Sequence, residues 1–167
     1  MVYILTAQLY DESIGYAAFD NYRTYLAGPA RALPPGARAL ATSEWYWNSN
    51  DHRCPHDAWL EAADVRESAD GALRKVSIHV RLLGAYHDGH IELVYHGVRR
   101  YRIELEPKQR DLDRGHRDWR HDEFRVSEPG HFEHEIEWWG AESSGTWLID
   151  AAEIEYQWLP AHPEPVK

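Results

Sequence analysis

Arg74-Lys-Val-Ser-Ile-His-Val-Arg-Leu-Leu83, Gly84-Ala-Tyr-His-Asp-Gly-His90 and Ile91-Glu-Leu-Val-Tyr-His-Gly-Val-Arg-Arg-Tyr-Arg-Ile-Glu-Leu105 form the stretch on which the fold turns. Val76, Ile78, Val80 and Leu82 alternate with Ser77, His79 and Arg81; Ile91, Leu93 and Tyr95 alternate with Glu92 and His96; Tyr101, Ile103 and Leu105 alternate with Arg100, Arg102 and Glu104. Successive side chains on a strand point to opposite sides, so a period of two marks strands with one buried and one wet face. Asp88-Gly89 is a pair that accepts the positive φ of a tight hairpin turn, and Gly97 marks a bulge. The reading is an antiparallel meander of three strands.

Outward from this stretch, Val2 to Tyr10 reads as an opening strand. Asp11 or Ser13 caps a helix carrying Phe19, Tyr22 and Leu26 on one face, and Gly28-Pro29 ends it. Pro34-Pro35 suit the first turn of a shorter helix through Ala37, Leu40 and Ala41, with Gly36 an unfavourable residue inside it. Ala58 to Glu67 is a strand closed by the turn Ser68-Ala-Asp-Gly71. Glu106 to Arg120, polar and holding Pro107 and Gly115, reads as a long surface loop. Asp122 to Val126, the run Phe132, His134, Ile136, Trp138, and the run Trp147, Ile149, Ile154, Tyr156, Trp158 finish the sheet. The fold class is α+β, mainly antiparallel β: a twisted sheet or partly closed barrel with two short N-terminal helices. Residues 1–159 form one globular domain, and 160–167, with three prolines, a mobile tail.

The 167 residues carry 18 Lys and Arg against 28 Asp and Glu, a net charge of −10. Phosphate backbones and anionic membrane surfaces both repel such a chain, which favours a basic protein partner and argues against nucleic acid or membrane. Cys54 is the one cysteine, so no intramolecular disulfide forms. Val2 to Tyr10 lacks the basic leader of a secretory signal and no run has the length of a membrane span, so a cytoplasmic location is expected. Eight Trp and ten Tyr against one Met fit a β-rich fold.

The densest set of potential ligands is Asp51-His-Arg-Cys-Pro-His-Asp57, in which His52, Cys54 and His56 recur at two-residue spacing. Imidazole and thiolate suit zinc, and three such ligands plus water make a hydrolytic site. Pro55 and the turn setting interrupt the alternation, and the spacing matches neither C-x-x-C nor H-E-x-x-H. A turn in which His56 or Asp57 bonds the backbone, with Cys54 buried as a small hydrophobe, explains the segment better, and no cofactor is expected. His116, His121, Asp122 and Glu123 form a second group. His131 and His134 lie three apart on a strand, hence on opposite faces. Asp57 and Glu123 make an acid–base pair only if their strands are neighbours. No nucleophile elbow, phosphate loop or dinucleotide fingerprint is present. Trp138-Trp139 places one indole outside the core, and Trp45 and Trp47 raise the same question beside a polar turn. Trp45, Trp47 and Trp139, with the acidic Asp122 and Glu123, are the candidate partner-binding residues.

His56-Asp-Ala-Trp-Leu60, Ile91-Glu-Leu-Val-Tyr-His-Gly-Val98, Asp122-Glu-Phe124, His134-Glu-Ile-Glu-Trp138 and Ile149-Asp-Ala-Ala-Glu-Ile154 together give a pattern spanning Pro55 to Trp158. It resembles that of small β-rich bacterial immunity proteins of polymorphic toxin systems. The resemblance implies a non-enzymatic binder that occludes a cognate toxin. The alternatives are a small metal-dependent enzyme built on the Asp51–Asp57 ligands and a β-barrel with a small apolar molecule inside.

Overall fold

A computed structural model of the chain describes residues 15–107, 115–140 and 143–161. Helix α1 (Gly15–Ala27) stops where Gly28 N–H closes onto the Thr24 and Tyr25 carbonyls and Pro29 opens a 3-10 turn (Pro29–Ala32). Helix α2 (Pro35–Thr42) starts at the paired prolines as expected. Gly36 is there for contact rather than propensity. A Cβ on it would lie 2.0 Å from the Ile154 carbonyl oxygen, and its N–H donates to Glu153 Oε1 at 2.8 Å. A second 3-10 turn, Glu44–Trp47, follows. The opening strand and the Asp11 or Ser13 cap lie outside the described residues.

Among the described residues nine strands form one antiparallel sheet: β1 (Trp59–Asp70), β2 (Leu73–Leu83), β3 (Gly89–His96), β4 (Arg100–Ile103), β5 (Glu106–Pro107), β6 (Asp118–Glu128), β7 (His131–Gly140), β8 (Ser143–Ala151) and β9 (Glu153–Pro160). Their order is β4-β8-β7-β6-β1-β2-β3-β9, with β5 on β8. The sheet is twisted and open, not a barrel, so no barrel interior exists to enclose a ligand.

The meander contains β1, β2 and β3, but its expected third member goes elsewhere. β4 pairs with β8 at the far edge, Tyr101 opposite Ile149, while β9 takes the place beside β3, Tyr95 opposite Ile154. Gly97, at φ 61°, is therefore the corner where the chain leaves the sheet rather than a bulge within it. The turn before β3 also differs. His87 carries the positive φ (56°), and Gly89 begins the strand because Trp158 lies across it, 2.4 Å from where a Cβ would stand. The Glu106–Arg120 loop is shorter than read: Glu106–Pro107 pairs with β8 and β6 begins at Asp118. β9 runs through Pro160, opposite Gly89, so ordered pairing passes residue 159.

β1 and β6 share one ladder pair, Trp59 with Asp118, beside two bonds between Trp119 and the Asp57–Ala58 backbone. This narrow junction divides the sheet into two wings whose apolar faces meet. Ile78, Val80, Leu82, Ile91, Leu93 and Tyr95 come from one wing; Phe124, Phe132, Ile136, Trp138, Trp147 and Ile149 come from the other, all essentially without solvent contact. Tyr22 of α1 bonds β6 at both its Phe124 carbonyl and Phe124 N–H, which fixes the helix layer on the sheet.

Candidate functional site

The turn before β1 disperses its potential ligands. Asp51 accepts Arg53 Nε at 2.9 Å and Arg53 Nη2 at 2.8 Å, and this pairing holds its carboxyl down to about 2. His52 turns outward, stacks on Tyr86 (ring centroids 4.2 Å apart) and pairs with Asp88. Cys54 turns inward: its thiol donates to the Tyr46 carbonyl at 2.9 Å, and burial pushes its pKa up to about 11, so it stays protonated. His56 lies 3.2 Å from Asp57, its ring 6.4 Å from that of His121. His52 thus points away from Cys54 and His56, which line one small cavity, and the three are not gathered as ligands. Among the described residues no three His, Cys, Asp or Glu side chains are arranged to hold a metal ion. Asp57, at φ 63°, pairs with Arg120 at 3.3 Å, whereas Glu123 is buried against Arg125; the acid–base pair of Asp57 and Glu123 does not form.

Asp122 and Glu123 sit inside the protein, with 4% and 0% exposure, and so are not surface groups for a partner. Asp122 organises a buried chain. Its Oδ1 accepts Trp119 Nε1 at 2.9 Å; its Oδ2 accepts the Tyr46 hydroxyl and His134 Nε2, each at 2.8 Å. His134 Nδ1 then accepts the Tyr95 hydroxyl at 2.7 Å. Tyr46 and Tyr95 have only one proton each to give, and burial, reinforced by Asp122, raises both phenols well above their ordinary range. With every donor matched to an acceptor, the His134 tautomer carrying hydrogen on Nε2 follows from the network.

A carboxylate–imidazole–hydroxyl sequence also occurs in nucleophilic catalysis, but there the end hydroxyl must meet a substrate. Here Tyr95 and His134 are both 0% exposed. The nearest space is a cavity of about 220 Å³ between the turn and β6, lined by Cys54, His56, Trp119, His121 and Asp122. That is below the usual volume of an organic ligand site. Burial, then Arg120 and His56, hold the His121 imidazole down to about 4, hence neutral at physiological pH. The arrangement holds a polar core together, with the Tyr95 hydroxyl at its buried end.

A second buried polar set lies on the opposite face of β6 and β7. Arg125 there meets Glu123, Glu133 and Glu135. Burial opposes the Arg125 charge, but Glu135 and Glu123 more than offset it, and the guanidinium is held more firmly protonated than in water.

Outside, the sheet junction exposes aromatic surface. Trp59 and Trp139 are both Cα partners of Asp118, so the three residues form one row across β1, β6 and β7 and share a face. Trp59 Nε1 donates to Asp118 Oδ1 at 2.8 Å, and the Arg120 guanidinium carbon lies 5.5 Å from the Trp139 ring centroid. Trp59 remains 49% and Trp139 44% exposed, whereas Trp138 is fully buried. Beyond Trp59, β1 is paired on one side only, to β2, among the described residues. Of the other nominated tryptophans, Trp45 is half-buried against Tyr156 with Arg53 over its ring, and Trp47 is tied by Nε1 to the Ala41 carbonyl. Trp59, Asp118 and Arg120 were not nominated from the sequence. Trp59 stood in view inside His56–Leu60, but the adjacency that makes the row joins residues 59, 118 and 139.

Comparison with known protein families, with characterised proteins and with solved structures finds no match to this chain.

Proposed function

We propose that this chain is a non-enzymatic protein-binding domain that docks a basic partner on the Trp59–Asp118–Trp139 row and the adjoining edge of β1, which is unpaired among the described residues. The observation that carries this reading is the row itself: two large indoles, fixed by an acceptor and a cation, left half in solvent on one face. Exposed aromatic anchors of this kind supply much of the binding energy of interfaces. A strand edge left unpaired among the described residues lies beside them, and such an edge accepts an added strand, with main-chain bonds giving affinity and side-chain pockets giving selectivity. A net charge of −10 steers a basic partner toward the surface. The burial of His134 and of the Tyr95 hydroxyl, the end of the chain that would have to meet a substrate, supports binding over catalysis. The resemblance to immunity-type inhibitors gives the partner a class, a basic toxin domain, and occlusion as the mechanism.

The test is selection of displayed random peptides of about ten residues, one strand's length, on the immobilised protein. Basic peptides alternating with apolar residues are expected to be enriched. The Trp59→Ala/Trp139→Ala variant is expected to lose at least about thirtyfold in affinity for them, as two hot-spot residues imply. Enrichment of neutral or acidic peptides, or equal binding by the variant, contradicts the proposal.

A further inference from the structure

A cavity of about 850 Å³ lies away from the aromatic row, between α1, α2 and the 3-10 turn that follows. Its floor is apolar and fixed. Tyr22 and Ala41 are buried, Leu26 is half-buried, and the Trp47 indole is held by the Ala41 carbonyl and stands edge-on to Tyr22 at 5.6 Å. Its rim is cationic: Arg23, Arg31 and Arg38 face one carboxylate, Glu44. In a chain of net charge −10 this local excess of 3 − 1 = +2 reverses the general sign. Among the described residues Arg23 has a single, solvent-exposed ion pair, with Asp20 at 3.8 Å. Arg31 and Arg38 have no carboxylate partner among the described residues, unlike the paired arginines elsewhere on the sheet.

We infer that this cavity is a binding site for a small amphipathic anion, a carboxylate, phosphate or sulfate on an apolar body. The observations bear on both halves of that ligand. A volume of this size lies within the range of small-molecule sites, and such sites combine apolar walls with a few charged groups that fix orientation. Guanidinium groups with no carboxylate partner among the described residues offer forked donors to an oxyanion without breaking an ion pair there. The apolar body then covers Leu26, Ala41 and Trp47. This inference is independent of the aromatic row and of the protein-binding reading.

Decanoate is the probe, followed by calorimetry and by quenching of tryptophan fluorescence, with decanol and decyltrimethylammonium as neutral and cationic counterparts. Decanoate is expected to bind, and decanol about tenfold or more weaker, the size of one charge-assisted hydrogen bond. Decyltrimethylammonium is expected not to bind. Arg31→Glu/Arg38→Glu, on the exposed rim, is expected to abolish decanoate binding with unchanged thermal stability. Ala27→Trp, which fills the groove without touching its charge, is expected to block it too. No heat with decanoate at about 1 mM, the weakest useful affinity, overturns the inference, as does equal binding of the cationic analogue or of the charge-reversed variant. Sedimentation with phosphatidylserine vesicles gives the last arm. Binding to vesicles without binding to free decanoate assigns the basic rim to a membrane surface and overturns the small-molecule site.

Discussion

His134 Nε2 lies 2.8 Å from the Asp122 carboxylate in the core, with His134 fully buried and Asp122 only 4% exposed, at the wall of the small cavity. The pair does the work that a hydrophobic contact does elsewhere in the core, and does it directionally. Trp119, Tyr46 and His134 donate to one carboxylate, and Tyr95 extends the chain to the other wing of the sheet. Buried polar groups that are fully matched stabilise a unique packing, whereas a half-matched set is costly. Asp122→Ala orphans three donors at once, and a loss of about 3–5 kcal/mol is expected in urea unfolding, as for a broken buried network. Tyr95→Phe removes one donor and is expected to cost about 1 kcal/mol.

Two groups give opposite pH dependences. Burial raises the Glu137 carboxyl from 4.5 to about 7. Between those values the folded state keeps a proton that the unfolded state has released, so this group makes stability fall as pH rises through that window. His121 is held from 6.5 down to about 4. There the unfolded state binds a proton that the folded state does not, so stability falls as pH drops from about 6.5 to about 4. Glu137→Gln is expected to raise Tm at pH 8 relative to the parent and to leave it unchanged at pH 4. His121→Gln is expected to raise it at pH 4 and not at pH 8. Thermal melts across pH, followed by circular dichroism, check both signs.

The helix layer depends on one glycine. Gly36→Ala places a Cβ 2.0 Å from the Ile154 carbonyl oxygen and blocks the Glu153 bond to the Gly36 N–H, so α2 must move off β9. A loss of about 2–4 kcal/mol is expected, at the upper end for overpacking. Gly28→Ala meets its nearest atom at 3.5 Å and is expected to shift stability by less than about 1 kcal/mol. Equal effects of the two substitutions in denaturant titrations would remove the contact argument.

Adjacent tryptophans make opposite contributions. Trp138 is fully buried and packs 5.1 Å from Trp147, ring to ring, while Trp139 stands outside. Trp138→Ala is expected to cost about 3–5 kcal/mol and Trp139→Ala less than about 1 kcal/mol. The same Trp139→Ala protein is expected to lose partner affinity, which separates the row's role in binding from any role in folding.

How much of this was readable in the chain follows from the range of each interaction. Val76 to Leu82 and Phe132 to Trp138 declare their strands by alternation, because that pattern records which face is wet. Trp138-Trp139 declared that one indole lies outside for the same reason. The position of β4 was not readable. Tyr101 to Leu105 alternates as well on β8 as it would on β3, and what decides is that β9 brings Ile154 and Trp158 to the β3 edge. Asp122 and Glu123 read as acidic surface because their charge is visible, because Tyr46 and His134, which donate to Asp122, lie far off in sequence, and because Arg125, two residues beyond Glu123, reads equally well as a solvated ion pair. Glycines misled twice, at Gly36 and Gly89, where closeness of another segment and not backbone freedom is what requires them.

Hydrogen–deuterium exchange of the chain, with and without an enriched basic peptide, tests the central claim most directly. Amides of Ala62 to Asp70 in β1 are expected to become protected in the complex, together with quenching of Trp59 and Trp139 fluorescence, because an added strand bonds that edge and covers the row. Protection elsewhere with β1 exchanging as before, or binding with no change in exchange at β1, would contradict the account.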